Sequence, residues 1–177
     1  MKIRLILFFI LVLHLNNCIS QDAIENFSVD LSRFSGLWYE IASNVPEANI
    51  CHCATDEFEF IPGRRFIKIT SKCILFKDGL SVMQARRIKA FPCRNPNNSK
   101  FKLQSCWPFR RQYEIIALGK DYSWAAVLIP SKEALFILNR DSFIPAHYYS
   151  AILNTIRDRG YITAKIEKTP QNCDIIE

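Results

Sequence analysis

Histidine is scarce here, and its scarcity excludes a good deal. The chain has three in 177 residues. His14 sits in an apolar N-terminal stretch, so His52 and His147 are the imidazoles of the remainder. Gly-x-Ser-x-Gly and His-Glu-x-x-His are both absent, which removes the usual sequence signals of serine hydrolases and zinc peptidases. Glycine is also rare, at five, and no glycine cluster could cradle a phosphate. After the N-terminal stretch, no apolar run is long enough to cross a bilayer as a helix. No nucleic-acid motif accompanies the formal charge of +6. The cations are scattered, as Arg64-Arg65, Arg86-Arg87-x-Lys89 and Arg110-Arg111. That spacing reads as solvated strand faces and loop tips rather than a nucleic-acid surface.

What is present points to an exported single domain. Hydrophobic residues make up 49% of the chain, enough for a sizeable core. Residues 1–20 read as a signal peptide: Lys2 and Arg4 form the positive end, Leu5 to Leu13 the apolar run, and Cys18-Ile19-Ser20 a small-x-small cleavage site before Gln21. Loss of that segment lowers the charge to +4. The alternative is acylation at Cys18. Leu15 is well placed for it, but Asn17 stands where such a site wants a small residue. Residues 21–33 read as a polar leader and 34–177 as the domain. Cys51, Cys53, Cys73, Cys93, Cys106 and Cys173 remain. An even count in an exported chain implies disulfides. Asn26 and Asn97 begin Asn-x-Ser sequons.

The domain is organised around Phe34-Ser-Gly-Leu-Trp-Tyr-Glu-Ile41. Gly36 permits a tight bend, and Trp38 follows in a strand-forming run, suited to plug the end of a barrel. Strands are predicted at Gly36–Ser43, Cys53–Ile61, Phe66–Ser71, Ser81–Phe91, Phe101–Trp107, Tyr113–Leu118, Trp124–Ile129 and Leu135–Asn139. Turn signals separate them, among them Pro62-Gly63 and Asp78-Gly79. The period then changes. Tyr149, Ile152, Leu153 and Ile156 form one apolar stripe of a helix opened by Pro145 and ended by Gly160. A short last strand is predicted at Ile162–Ile166. Eight short strands followed by one helix indicate an all-β, up-and-down antiparallel barrel with the C-terminal helix packed outside. Such a barrel has room for one small ligand. An immunoglobulin-type sandwich would leave the helix unexplained.

The chain resembles the lipocalins, in the branch containing apolipoprotein D and the bacterial lipocalins. The likeness runs from about Phe34 to Cys173. Gly36-Leu-Trp-Tyr-Glu-Ile-Ala42 is similar to the first family motif. Cys106-Trp-Pro-Phe109 resembles that branch's aromatic-x-Pro-Phe segment. Tyr113–Leu118 with Asp121-Tyr122 resembles the second motif, although Gly119-Lys120 replaces its usual acid. Phe136-Ile-Leu-Asn-Arg140 resembles the third. The resemblance implies that Arg140 packs across Trp38, with Gly36, Trp38 and Arg140 structural. It also implies a Cys53–Cys173 bridge. Folding about Pro62-Gly63 then brings Cys73 near Cys51 and Cys53. Cys51–Cys73 and Cys93–Cys106 complete the set, and Cys51 and Cys53 can exchange roles.

Two chemical readings compete with ligand binding. Cys51-His52-Cys53 with Cys73 has the composition of a Cys₃His zinc site, but oxidising export favours disulfides, so no metal or other cofactor is expected. A cysteine nucleophile with His52 as base would make a thiol enzyme, and bridged cysteines would remove it. The favoured reading is a secreted, non-enzymatic carrier of a small hydrophobic ligand: a fatty acid, lysophospholipid, sterol or tetrapyrrole. Its expected wall is Phe58, Phe60, Trp107, Tyr113, Phe136 and Leu138, with Glu40 as a polar group inside. Parity along the first strand puts Trp38, Glu40 and Ala42 inward. A partner-binding scaffold and a lipid-anchored envelope protein are the other readings, and contact with membrane lipid fits either carrier or anchor.

Overall fold

The computed structural model describes residues 27–45, 51–77 and 80–173. The signal segment, Cys18, Asn26, most of the loop after the first strand and the Asp78-Gly79 pair lie outside them. Nine strands and two helices are ordered α1 (Leu31–Phe34), β1 (Gly36–Ser43), β2 (Cys51–Glu59), β3 (Ile67–Lys77), β4 (Leu80–Pro92), β5 (Lys100–Gln104), β6 (Arg111–Leu118), β7 (Trp124–Ile129), β8 (Ala134–Asn139), α2 (Ala146–Asp158) and β9 (Glu167–Lys168). Strands β2 to β8 pair in chain order, β8 pairs with β1, and β1 returns to β2. Every pairing is antiparallel. The result is a closed eight-stranded barrel with a helix after it.

Alternation decides which side chains face in. Phe58 is buried while Glu57 and Glu59 are exposed, the signature of a wall with one apolar and one wet face. Inside lie Trp38, Phe58, Ile69, Phe101, Tyr113, Ile115 and Leu138. Outside, α2 lays Ile152 and Ile156 on Ile41, Ile116, Trp124, Leu135 and Ile137. Asp30 caps α1 through its side chain, which accepts from the Ser32 and Arg33 amides. Residues 27–34 thereby pack into the barrel end, and Val29 is fully buried.

Three β-bulges correct the simple alternation. The register slips between Glu40 and Ala42 in β1, between His52 and Thr55 in β2, and between Ile115 and Ala117 in β6. An extra residue turns everything beyond it to the opposite face. Ala42 therefore joins the outer cluster under α2 rather than facing inward. The carbonyls of the bulged residues in β1 and β6 are met from the C-terminal region. Ile41 accepts from the Thr169 amide at 2.9 Å, and Ile116 from Arg159 Nη1 at 2.7 Å.

The C-terminal segment also closes a seam. Strands β1 and β2 pair only from Gly36↔Phe58 to Tyr39↔Thr55. Above that point β9 runs along β1, matching Ala42 with Lys168. The Cys53 amide donates to Pro170 O at 2.8 Å. Gln171 Nε2 donates to Glu40 O at 2.8 Å and to Ala54 O at 3.1 Å, joining the two strands. Disulfides link Cys53 to Cys173 and Cys51 to Cys73. The last strand thus lies at Glu167–Lys168 and not at Ile162–Ile166; Ile162 is exposed.

The expected Cys93–Cys106 bridge does not form: Cys106 is free and exposed, while Cys93 is disulfide-bonded. The register explains this. Lys89 pairs with Gln104 and Pro92 with Phe101, so the two cysteines lie beyond opposite ends of the β4–β5 ladder, about 20 Å apart at strand rise. A disulfide needs Cα atoms within about 7 Å.

Cys53–Cys173 spans 120 residues. The chain-entropy model values such a bridge at about 5 kcal/mol. In urea titrations Cys173→Ser is expected to lose stability on that scale, while Cys106→Ser, at an exposed free thiol, stays within about 0.5 kcal/mol of the parent.

Candidate functional site

The barrel interior divides into a sealed base and an accessible upper half. At the base Trp38 is fully buried, and its Nε1 donates to Phe34 O at 2.8 Å. The Arg140 guanidinium lies 3.7 Å from the centre of the indole. It also donates to Leu37 O at 2.8 Å, Arg33 O at 2.9 Å, Ser35 O at 3.0 Å and Tyr122 O at 3.3 Å. Gly36 is placed by two constraints: its φ of +100° and the 3.3 Å that would separate an added Cβ from Arg140 Nη1. Tyr122 Oη accepts from the Asp30 amide at 2.8 Å, and Arg33 stacks on its ring at 4.1 Å. The β6–β7 turn compensates for the missing acid at Gly119-Lys120: the Gly119 amide donates to Trp124 O at 2.9 Å, and Asp121 accepts from the Ser123 amide and hydroxyl. Above the plug, Phe34 meets Trp38 and Phe58 ring to ring. A void of about 10 Å³ among Phe34, Phe58, Ile67, Ala90, Phe101 and Tyr113 is far too small for a ligand.

In the upper half the inward side chains are different. Glu40, Asp56, Ile88, Leu103, Ile129 and Phe136 are each only partly buried. Ile88, Leu103, Ile129 and Phe136 pack on the interior cluster from above. Two acids share this space. Asp56 lies opposite Trp38 in the β1–β2 ladder, and Glu40 lies opposite the inward Leu138. Burial pushes the Glu40 carboxyl up to about 7; the Thr169 hydroxyl, donating at 2.9 Å, opposes this, and the Asp56 charge adds to it. Burial likewise raises Asp56, against a hydrogen bond from Ser71. Tyr113 is 5% exposed, and its hydroxyl has no hydrogen-bond partner among the described residues. Burial and the Asp56 charge raise its pKa well above the ordinary phenol value.

A family model described as a lipocalin-like domain matches residues 29–171. The chain belongs to the lipocalins. Among curated proteins it is 26% identical over 155 residues to the outer membrane lipoprotein Blc of Citrobacter freundii, covering 81% of this chain and 78% of that one. It is 27% identical over 154 residues to the Escherichia coli K12 protein of the same name, covering 80% and 78%. Among solved structures, lobster apocrustacyanin A1 superposes with a TM-score of 0.61 at 22% identity, over 80% of this lipocalin and 79% of that chain. That likeness concerns the fold.

The structure sorts the sequence-derived wall of this lipocalin into three groups. Glu40, Tyr113 and Phe136 converge on the interior at or above the aromatic layer. Phe58 and Leu138 are buried in the base and belong to its packing. Phe60 lies past the end of β2 on the closed side, where its amide donates to Ser35 Oγ at 3.1 Å, so it does not line the upper half. Trp107 is corrected outright. Strand β5 stops at Gln104, the alternation that would have turned Trp107 inward ends with it, and the indole is 86% exposed. It lines an outer cleft of about 400 Å³ with Lys102, Arg110 and Arg111. Asp56 was missed, although a signal existed: it precedes Phe58 by two residues on one strand, so it faces the same way. Neither the zinc nor the thiol reading survives at His52, because Cys51, Cys53 and Cys73 are all in disulfides.

Two expectations follow from this geometry. Native Glu40 keeps a proton up to about pH 7, whereas its ordinary value is 4.5. Between those values the native state holds a proton that the unfolded state has lost, so stability falls as pH rises. Asp56 acts in the same direction. Glu40→Gln should match the parent near pH 5 and exceed it near pH 7.5 by up to about 3 kcal/mol, measured by urea unfolding at both pH values. Arg140→Lys keeps the charge, but a single ammonium cannot stack on Trp38 and serve four carbonyls at once. Chemical denaturation should show a loss of about 2–4 kcal/mol.

Proposed function

We propose that this lipocalin is an extracytoplasmic carrier that holds a small apolar molecule in the upper half of its barrel. The observation that carries the reading is the partial exposure of Leu103, Ile129 and Phe136. Inward-facing apolar side chains in a filled barrel would be wholly buried. Affinity would come from covering that surface, roughly 25 cal/mol per Å² before entropy losses. Glu40 and Tyr113 would set the ligand's orientation. The fatty acid, lysophospholipid, sterol and tetrapyrrole classes share the apolar body that such a cup would cover, and differ in the head group that Glu40 and Tyr113 would meet. The Cys51–Cys73 and Cys53–Cys173 disulfides support a location outside the reducing cytosol. The exposed Leu80 and Met83 of the β3–β4 hairpin, with Trp107 on the β5–β6 loop, all lie at the open end and support contact with membrane lipid there. No covalent step is proposed, since the cysteines beside His52 are bridged.

Native and then denaturing mass spectrometry on the protein exported by its own source tests this. The expected result is a lipophilic adduct in the native spectrum that is lost on denaturation, on a chain beginning at Gln21. A chain retaining an acylated Cys18 would make it an anchored carrier. Phe136→Ala should weaken uptake of the released molecule about tenfold through lost apolar contact. A bare mass in both spectra, with no uptake of added dodecanol, would replace the carrier reading with that of a partner-binding scaffold.

A further inference from the structure

The inward face of the upper half carries an uncompensated polar cluster. Glu40 projects from β1 and Asp56 from β2. Among the described residues neither has a cation within ion-pair distance; the salt bridge seen there, Lys68–Glu59 at 2.7 Å, lies on the outer wall. The hydrogen bonds the acids do have come from neutral hydroxyls, Thr169 to Glu40 and Ser71 to Asp56. Arg86 and Arg111 share the inward parity of their strands, two residues from Ile88 and from Tyr113; Arg86 lies opposite Ser71 in the β3–β4 ladder, one strand beyond Asp56, but both arginine side chains are exposed to solvent. Tyr113 adds the independent observation. Its ring is packed against Phe58 and Phe101, its residue is nineteen-twentieths buried, and its hydroxyl, within the field of Asp56, is unpartnered. A buried hydroxyl without a partner costs about 1–3 kcal/mol, so a native structure that keeps one invites a guest.

The three groups set what that guest must carry. A carboxylate or phosphate head would be a third acid beside two. A single hydroxyl supplies one donor. A primary ammonium supplies three donors and the opposite charge, and apolar surface above and around the cluster takes the rest of the molecule. We infer that Glu40, Asp56 and Tyr113 form a subsite for a ligand bearing a primary ammonium on an apolar body. The inference rests on the carrier reading and narrows its ligand class.

Three probes of one chain length separate the two. Dodecylamine, dodecanol and dodecanoate are titrated by calorimetry into the full exported protein at about pH 7.5, below their aggregation limits. Dodecylamine should bind about tenfold more tightly than either of the others, the scale of a charge-assisted hydrogen bond. Combining Glu40→Gln with Asp56→Asn should abolish the preference, so that amine and alcohol bind alike, while an unchanged near-UV circular dichroism spectrum reports that the barrel has folded. Tyr113→Phe should lower the ratio of amine to alcohol affinity about threefold. Binding of dodecanol or dodecanoate with no advantage for the amine would overturn the subsite and leave the carrier reading standing. So would an amine preference that survives the double substitution. Failure of all three probes would overturn both.

Discussion

One guanidinium holds the closed end together. Arg140 comes from the end of β8, yet the carbonyls it serves belong to α1, β1 and the β6–β7 turn. Those carbonyls have no strand partner because the chain is changing direction there, and leaving them buried and unpaired would be costly. The same group covers the Trp38 face at 3.7 Å, where attraction to the ring quadrupole adds to the hydrogen bonds. Burial lowers the Arg140 pKa, but an arginine stays charged under that pressure where a lysine would be drawn toward neutrality. The plug therefore rests on a residue type that can be stacked, multiply bonded and partly desolvated at once.

A sealed base allows the other half to be loosely built. Strands β1 and β2 separate above Tyr39 and Thr55, and what would be an open edge is covered by β9, Pro170 and Gln171. Edges of this kind otherwise invite pairing with other chains. The Cys53–Cys173 bridge holds the covering segment in place. This repair has a chemical by-product. Alternation from Trp38 already places Glu40 inside; the β1 bulge beyond it turns Ala42 outward under the helix, and the inserted Thr169 gives the acid a hydroxyl donor. The acid's hydrogen-bond partner is thus a consequence of how the seam is closed.

The architecture was legible because it is periodic. Alternation in Glu57-Phe58-Glu59, the change to helical spacing at Tyr149–Ile156 and the motif around Trp38 each point to one arrangement, and the structure has it. What escaped were departures from period. None of the bulges has a glycine or proline to announce it, so alternation alone places Ala42 on the wrong face. Strand β5 ends at Gln104 although Ser105-Cys106-Trp107 continue the same alternation in the sequence, which is why Trp107 was read as inward. The Cys93–Cys106 pairing followed from counting, whereas the ladder register, a long-range quantity, sets the two cysteines at opposite ends. Asp56 was available to the same parity argument that identified Phe58, but an acid flanked by other acids reads as a solvated face until the strand register is known.

The division of the barrel into two halves also bears on the chemistry of what enters. The base is saturated: rings fill it, each polar atom of Arg140 and Trp38 has a partner, and the remaining void is smaller than a ligand. Selectivity can therefore arise only from the layer above, where apolar contact from Leu103, Ile129 and Phe136 is nearly indifferent to the identity of a guest. Apolar burial scales with area and has no direction. Direction has to come from polar groups held in fixed positions in a low dielectric, where an unmet partner is costly. In the proposed carrier Glu40, Asp56 and Tyr113 would be those groups, carried on three strands tied together by the disulfide-anchored seam and the aromatic layer below. The rigidity that closes the barrel is the same rigidity that would let a single charge inside it discriminate.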